Sequence, residues 1–345
     1  MFRRIFLLLT AVGFATLCQA ASDPLPAWRD GPGKQRILDF VRDISTPGSS
    51  SYVTPAERVA VFDDDGTLWP EKPGPQALFA LERLRAQAPQ HPEWRTQMPF
   101  KAALELQGKY LQEADEASVF QLIAVANAGR TQAAFRAEAR EYLGNTRHPR
   151  FRQTWNRLAY TPMRELFAYL RANGFHNFIV SAGSVNVARI LASEAYGISS
   201  DDVIGSSVVS TLREEDGKLV LRRLATVHAL NDGAVKPLSI DQHIGQRPIL
   251  AVGNVHSGGD IDMLRYSQGA ETQVPAPQGS PQRSLQILIS HDDFEREYAY
   301  DEKDRASLNA ADANGWMIVS MRYDWRQIFS FQAAETPGSA QAGAQ

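Results

Sequence analysis

Val59-Ala-Val-Phe-Asp63-Asp64-Asp65-Gly66-Thr67-Leu68-Trp69 sets two carboxylates two residues apart in the turn that ends an apolar run. The Val, Ala and Phe predict a buried strand. Its carboxyl end delivers Asp63 to the crevice where open α/β sheets bind ligands, and Gly66 lets the chain turn sharply away. In that position Asp63 suits a nucleophile and Asp65 a proton donor. An acidic surface turn is the plainer alternative, since Asp and Gly are ordinary turn residues. The apolar strand ahead of the turn favours chemistry.

Three later segments extend the pattern. Phe175-His-Asn-Phe-Ile-Val-Ser181-Ala-Gly-Ser184 is another apolar strand ending in a hydroxyl and small residues, and Ser181 there could also cap a helix starting near Val185. Lys236 lies in Asn231-Asp-Gly-Ala-Val-Lys-Pro237. A third strand, Pro248-Ile-Leu-Ala-Val-Gly-Asn254, runs into Val255-His-Ser-Gly-Gly-Asp260-Ile-Asp262-Met-Leu.

Taken in order, these segments resemble the four motifs of the haloacid dehalogenase (HAD) superfamily, the first being its Asp-x-Asp-Gly-Thr. The resemblance implies a phosphatase that forms an aspartyl-phosphate on Asp63 and uses Asp65 as general acid and base. It gives Ser181 a hydrogen bond to a phosphoryl oxygen, and Lys236 the role of offsetting repulsion between carboxylate and phosphate. Mg²⁺ is the implied cofactor, held by Asp63, the backbone carbonyl of Asp65, Asn254 and Asp260. The fourth motif departs from the family pattern. Asn254 stands where the first carboxylate usually sits, Gly258 stands where an exported bacterial subgroup has Asp, and the loop carries two extra residues. Asp262 is expected on the following helix. His256, with no second His at metal-site spacing, is expected to be a polar loop residue without a partner. Because a halide leaves without a proton, Asp65 argues against a dehalogenase.

Between the first two motifs, Pro75 to Arg85, Phe100 to Gln112, Ala117 to Asn127 and Thr131 to Leu143 each place apolar residues at three-and-four spacing, which predicts helices. The insertion resembles the C1 cap of phosphoserine phosphatase-like members, a helical lid that would carry specificity. Glu71, just after the catalytic turn, is the candidate for contacting a cationic substrate group, a solvated loop Glu being the alternative. Arg147 and Arg150 suit a substrate anion or a hinge. Leu285-Gln-Ile-Leu-Ile-Ser-His291-Asp292 predicts a further strand, with His291 and Asp292 in a structural network at its end. Trp28-Arg-Asp-Gly-Pro-Gly-Lys-Gln and Asp324-Trp-Arg-Gln-Ile-Phe329 resemble the exported subgroup.

At the amino terminus, Arg3 and Arg4 precede the apolar run Ile5 to Leu17 and the small-residue site Cys18-Gln-Ala20-Ala21, which reads as a secretory leader too short to span a membrane. Cleavage after Ala20 removes the only Cys, so no disulfide is expected in the mature protein. It also removes two positive charges, taking the net charge from −3 to −5, which disfavours nonspecific nucleic-acid binding.

The expectation is an α/β protein: a Rossmann-like parallel sheet core from 21–69 and 160–330, an inserted helical cap at 70–159, a leader at 1–20 and a disordered tail at 331–345. A mobile loop is expected from Gln268 to Ser284. The expected activity is Mg²⁺-dependent hydrolysis of a small phosphorylated metabolite, phosphoserine phosphatase-like, in the periplasm or outside the cell, without stable membrane insertion. A noncatalytic phospholigand-binding protein and a phosphotransferase to an acceptor other than water are the alternatives.

Overall fold

Val59–Phe62 forms strand β1, buried along its whole length, as an uninterrupted apolar run requires of a central strand covered on both faces. Side chains alternate across it. Ala60 and Phe62 join the larger core, with Ile179, Val252 and Ile287, whereas Val59 and Val61 join a second core on the other face, with Val180, Ala251 and Leu288. The structure is a computed structural model that describes residues 23–106, 110, 114–256, 258–269 and 283–332. The leader, residues 270–282 of the expected mobile loop, residues 107–109 and 111–113, and the tail from 333 lie outside them.

The other strands are β2 (His176–Ser184), β3 (Val203–Glu215), β4 (Lys218–Ala229), β5 (Leu250–Asn254), β6 (Leu285–Ser290) and β7 (Met317–Ser320). They form one seven-stranded sheet in the order β4-β3-β2-β1-β5-β6-β7, parallel throughout except for the antiparallel β3–β4 pair. Strand order reverses at β1, which has β2 on one side and β5 on the other. The carboxyl ends of these three strands therefore flank the switch-point crevice, where such sheets bind ligands.

Helices α1 (Pro32–Ser45), α6 (Thr161–Ala172), α7 (Val185–Leu191), α8 (Val235–Ile244), α9 (Ile261–Gln268), α10 (Ala306–Asn314) and the short α11 (Met321–Asp324) accompany the sheet. The insert between β1 and β2 is helical: α2 (Pro75–Gln87), α3 (Phe100–Leu106), α4 (Glu116–Ala126) and α5 (Gln132–Asn145). Local chemistry starts them. Proline opens α2, while Asp115 and Thr131 cap α4 and α5 by accepting from Ser118 N and Ala134 N at 2.8 and 3.1 Å. Leu81, Leu84, Trp94, Phe120 and Ile123 give the insert its own apolar cluster.

That cluster also contains Val208, from a long β3–β4 arm that the sequence reading did not find. The arm turns at Asp216 and Gly217, both with positive φ (51° and 71°), as a two-residue type I′ hairpin demands. It supports the insert through Gln121 Nε2 donating to Ala225 O and Gly129 N donating to Arg223 O. At the chain's ends, Trp28 and Trp325 meet edge to face at 6.0 Å, so the two terminal segments clasp each other. Phe331 packs partly buried against the main core, and Gln332 donates to the Arg296 carbonyl.

Candidate active site

Four loops converge at the carboxyl ends of β1, β2 and β5. Asp63 leaves β1 with its amide bonded to Val252 O at 2.9 Å, which ties the turn to β5. Its carboxylate accepts from Thr67 Oγ1 at 3.2 Å and from Lys236 Nζ at 2.6 Å. Lys236, in the first turn of α8, also donates to Asp260 at 2.6 Å, so one buried ammonium joins the first and fourth motifs. Asp260 accepts in turn from the Asn254 amide at 3.0 Å. Gly253 makes this possible, because a β-carbon there would lie 2.5 Å from the Asp260 carboxylate. Asp262 sits on α9 and borders neither cavity of the site.

Burial governs the charges. It pushes the Asp63 carboxyl well above the usual range, Asp260 adding to it and Lys236 opposing. Burial alone would lower Lys236, but Asp260 and Asp63 outweigh it and hold the ammonium protonated. Asp65 is pushed up to about 6 by burial and then by Glu71, against a hydrogen bond from Trp69 Nε1 at 2.8 Å. A carboxyl titrating there can both give and take a proton near neutrality.

Asp63, Asp65, Lys236, Asn254, Asp260 and Glu71 all border one cavity of about 40 Å³. Ser181 does not. It is fully buried behind the wall formed by Ala182 and Gly183, its hydroxyl accepting from Gly183 N at 3.0 Å and its carbonyl from Asn231 Nδ2 at 3.0 Å. A second cavity of about 110 Å³ adjoins the first, sharing Asp65, Glu71, Glu116 and His256. Since one water needs roughly 10–15 Å³, the inner space suits a phosphoryl-sized group and the outer one a small leaving group.

Two expectations change. His256 is not partnerless: its Nδ1 lies 3.2 Å from Glu71 Oε2, because the insert's entry and the β5–α9 loop fold onto each other. Arg150 and Arg147 border neither cavity, Arg150 donating to the carbonyls of Phe294, Glu295 and Glu297 and Arg147 to that of Arg152. His291 and Asp292 form the expected network, His291 between Gly66 O and Glu297, Asp292 on Ser320.

Sequence reasoning also missed Asp232, Glu116 and Gln76. Asp232 borders the inner cavity from within the Asn231–Lys236 segment, where only Lys236 was assigned a role. Glu116 enters from the first turn of α4, where nothing in the sequence marks it beyond a helix start. Gln76, in the first turn of α2, accepts from Ser184 N at 2.9 Å and so latches the insert to the β2 loop.

Residues 60–265 match the family described as haloacid dehalogenase-like hydrolase. The chain belongs to this family. No curated protein matches it. Among solved structures, this HAD-like hydrolase is similar to a functionally unknown protein of Anaerococcus prevotii (14% identity, 83% of this chain and 91% of that one, TM-score 0.49). It is similar also to a phosphoserine phosphohydrolase-like protein of Francisella tularensis (15%, 76% and 94%, TM-score 0.38). A probable phosphoserine phosphatase of Vibrio cholerae is a third (13%, 78% and 62%, TM-score 0.40).

The HAD-like site suits a hard divalent cation. The oxygens that would hold it are the Asp63 and Asp260 carboxylates, the Asp65 carbonyl and the Asn254 side-chain carbonyl, all from residues that border the inner cavity. Asp63, Asp65, Asp232, Asp260, Glu71 and Glu116 surround the cavity against Lys236 and His256, so its charge balance favours added positive charge. Among the described residues no three His, Cys, Asp or Glu are grouped so as to hold a metal ion by themselves.

Proposed function

We propose that this protein is an exported, Mg²⁺-dependent phosphomonoesterase acting on a small phosphorylated metabolite in two displacements. One observation carries the reading: Asp63 and Asp65 face the same phosphoryl-sized cavity with Lys236 bonded to Asp63. An Asp63 oxygen attacks phosphorus while the ester oxygen leaves, taking a proton from Asp65. Water then attacks the aspartyl-phosphate, Asp65 accepts its proton, and phosphate is released. Lys236 and the β2 loop stabilise the equatorial oxygens through charge and position. Mg²⁺, held by Asp63, the Asp65 carbonyl, Asn254 and Asp260, supplies charge neutralisation at the phosphoryl group.

Residues 70–159 act as the cap over a core of 21–69 and 160–330, and the leader directs the chain to the periplasm or beyond. No helix among the described residues is long and apolar enough to cross a membrane. A small phosphoester carrying an amine is the substrate class that the cap resemblance and Glu71 suggest. The test is phosphate release from a panel of phosphomonoesters by the purified protein, with Mg²⁺ and with chelator. Release that depends on Mg²⁺ is expected, and no release from any ester would favour the binding-protein alternative.

A further inference from the structure

Glu116 and Glu71 both border the outer cavity, one from the first turn of α4 and the other from the segment after the β1 turn. Neither carboxyl has both oxygens hydrogen-bonded within the described residues. Glu116 makes no hydrogen bond or ion pair among the described residues. The Glu71 side chain is 9% exposed, and while Oε2 meets His256, Oε1 is buried without a hydrogen-bond partner. A carboxylate oxygen in that state is costly unless a ligand brings the missing donor.

The rest of the outer cavity says what else the ligand carries. Val119, Phe120 and Ile123 give it an apolar wall. No arginine among the described residues borders either cavity, and Lys72, which borders the outer one, has its ammonium 3.7 Å from the centre of the Tyr300 ring and under the pull of Glu71. A ligand carboxylate would meet Glu71, Glu116 and Asp65 there, with no guanidinium fork to receive it and the Lys72 ammonium already held over the Tyr300 ring.

Resting on the phosphomonoesterase reading, we propose that the substrates are short aminoalkyl phosphates without a carboxylate. Their ammonium lies between Glu116 and Glu71, and their methylenes lie against Phe120 and Ile123. Glu116 is thereby a specificity-determining residue supplied by the insert. Phosphoserine, which adds a carboxylate to this skeleton, is the poorer ligand.

Calorimetry on the purified protein with Mg²⁺ tests this through three phosphonates: 2-aminoethylphosphonate, its near-isostere propylphosphonate, and 2-amino-3-phosphonopropionate, which adds the carboxylate. The amine should bind about tenfold tighter than the propyl compound, as a charge-assisted hydrogen bond implies. The carboxylated compound should bind more weakly than the simple amine. Glu116→Gln should cut the amine-to-propyl ratio about fivefold, and Glu71→Gln gives a second reading of the same ratio. Equal affinities, tighter binding of the carboxylated compound, no binding of any of the three, or a ratio unchanged in both variants would overturn the proposal. Because these are binding measurements, they stand apart from turnover: failure to hydrolyse even nitrophenyl phosphate would sink the phosphatase reading instead.

Discussion

A β-carbon at position 66 would lie 2.0 Å from Asn254 Nδ2, so the catalytic turn and the end of β5 meet with no room for a side chain between them. Gly66 also has φ 81°, where an L-residue is strained. Gly66→Ala should therefore cost about 2–5 kcal/mol of stability from strain and overpacking together. It should also lower activity by displacing Asn254. Melting temperature and kcat/KM measured side by side check this, and wild-type values for both would show that the turn can give way.

Asp63 and Asp65 should separate cleanly by leaving group. Asp63→Asn should abolish phosphate release in a folded protein, since the attacking oxygen is lost. Asp65→Asn should cost less with nitrophenyl phosphate, whose leaving group needs little protonation, than with an alkyl phosphate. Equal losses on both esters would remove Asp65 from the acid role.

The fourth-motif loop predicts a graded metal response. Asn254→Asp should lower the Mg²⁺ concentration giving half-maximal activity, because added negative charge tightens a hard-cation site. Asp260→Ala should raise it and also destabilise the fold, toward the lower end of the ~3–5 kcal/mol typical of a broken buried pair, as Lys236 keeps Asp63. Asp262→Ala should change little. Identical Mg²⁺ titrations for all three would mean that this loop does not hold the ion.

His148 predicts acid sensitivity away from the chemistry. Its ring is buried as the neutral form, Nε2 donating to Lys72 O at 3.0 Å and Nδ1 accepting from the amides of Arg150 and Phe151. Burial lowers its pKa to about 4, against a hydrogen bond to Lys72 that opposes the shift. A lowered histidine binds its proton less tightly folded than unfolded, so its contribution is complete above about pH 6.5 and is lost as pH falls toward 4. His148→Gln should be less stable at pH 7 yet flatter across that window. Denaturant midpoints at pH 7, 5.5 and 4.5 would show it, and parallel curves would refute the role.

Much of the site could be read before any fold was known, for a geometric reason. Asp63 and Asn254 each end an apolar run, and Lys236 and Asp260 stand at helix starts. A parallel sheet must bring such ends to one edge. The β3–β4 arm escaped because its far half is exposed or half-buried and its apolar residues come only in short stretches such as Val208-Val209 and Leu219-Val-Leu221. Its Asp216-Gly217 turn was the available signal. Ser181 was placed correctly at the end of β2, but only the folded chain shows its hydroxyl turned into the loop rather than bordering the cavity.

By itself, the sequence determined the parallel sheet, the helical nature of the insert and the carboxylates that border the inner cavity, because these follow from local periodicity and from what a strand end can present. The tertiary structure alone decided that Glu71 pairs with His256, that Glu116 reaches the cavity and that Gln76 holds the β2 loop. Those contacts join residues 185, roughly 50 to 140, and 108 positions apart in sequence. They depend on how the insert lands on the sheet, which no local pattern encodes, and it is that landing which brings Glu71 and Glu116 to one cavity.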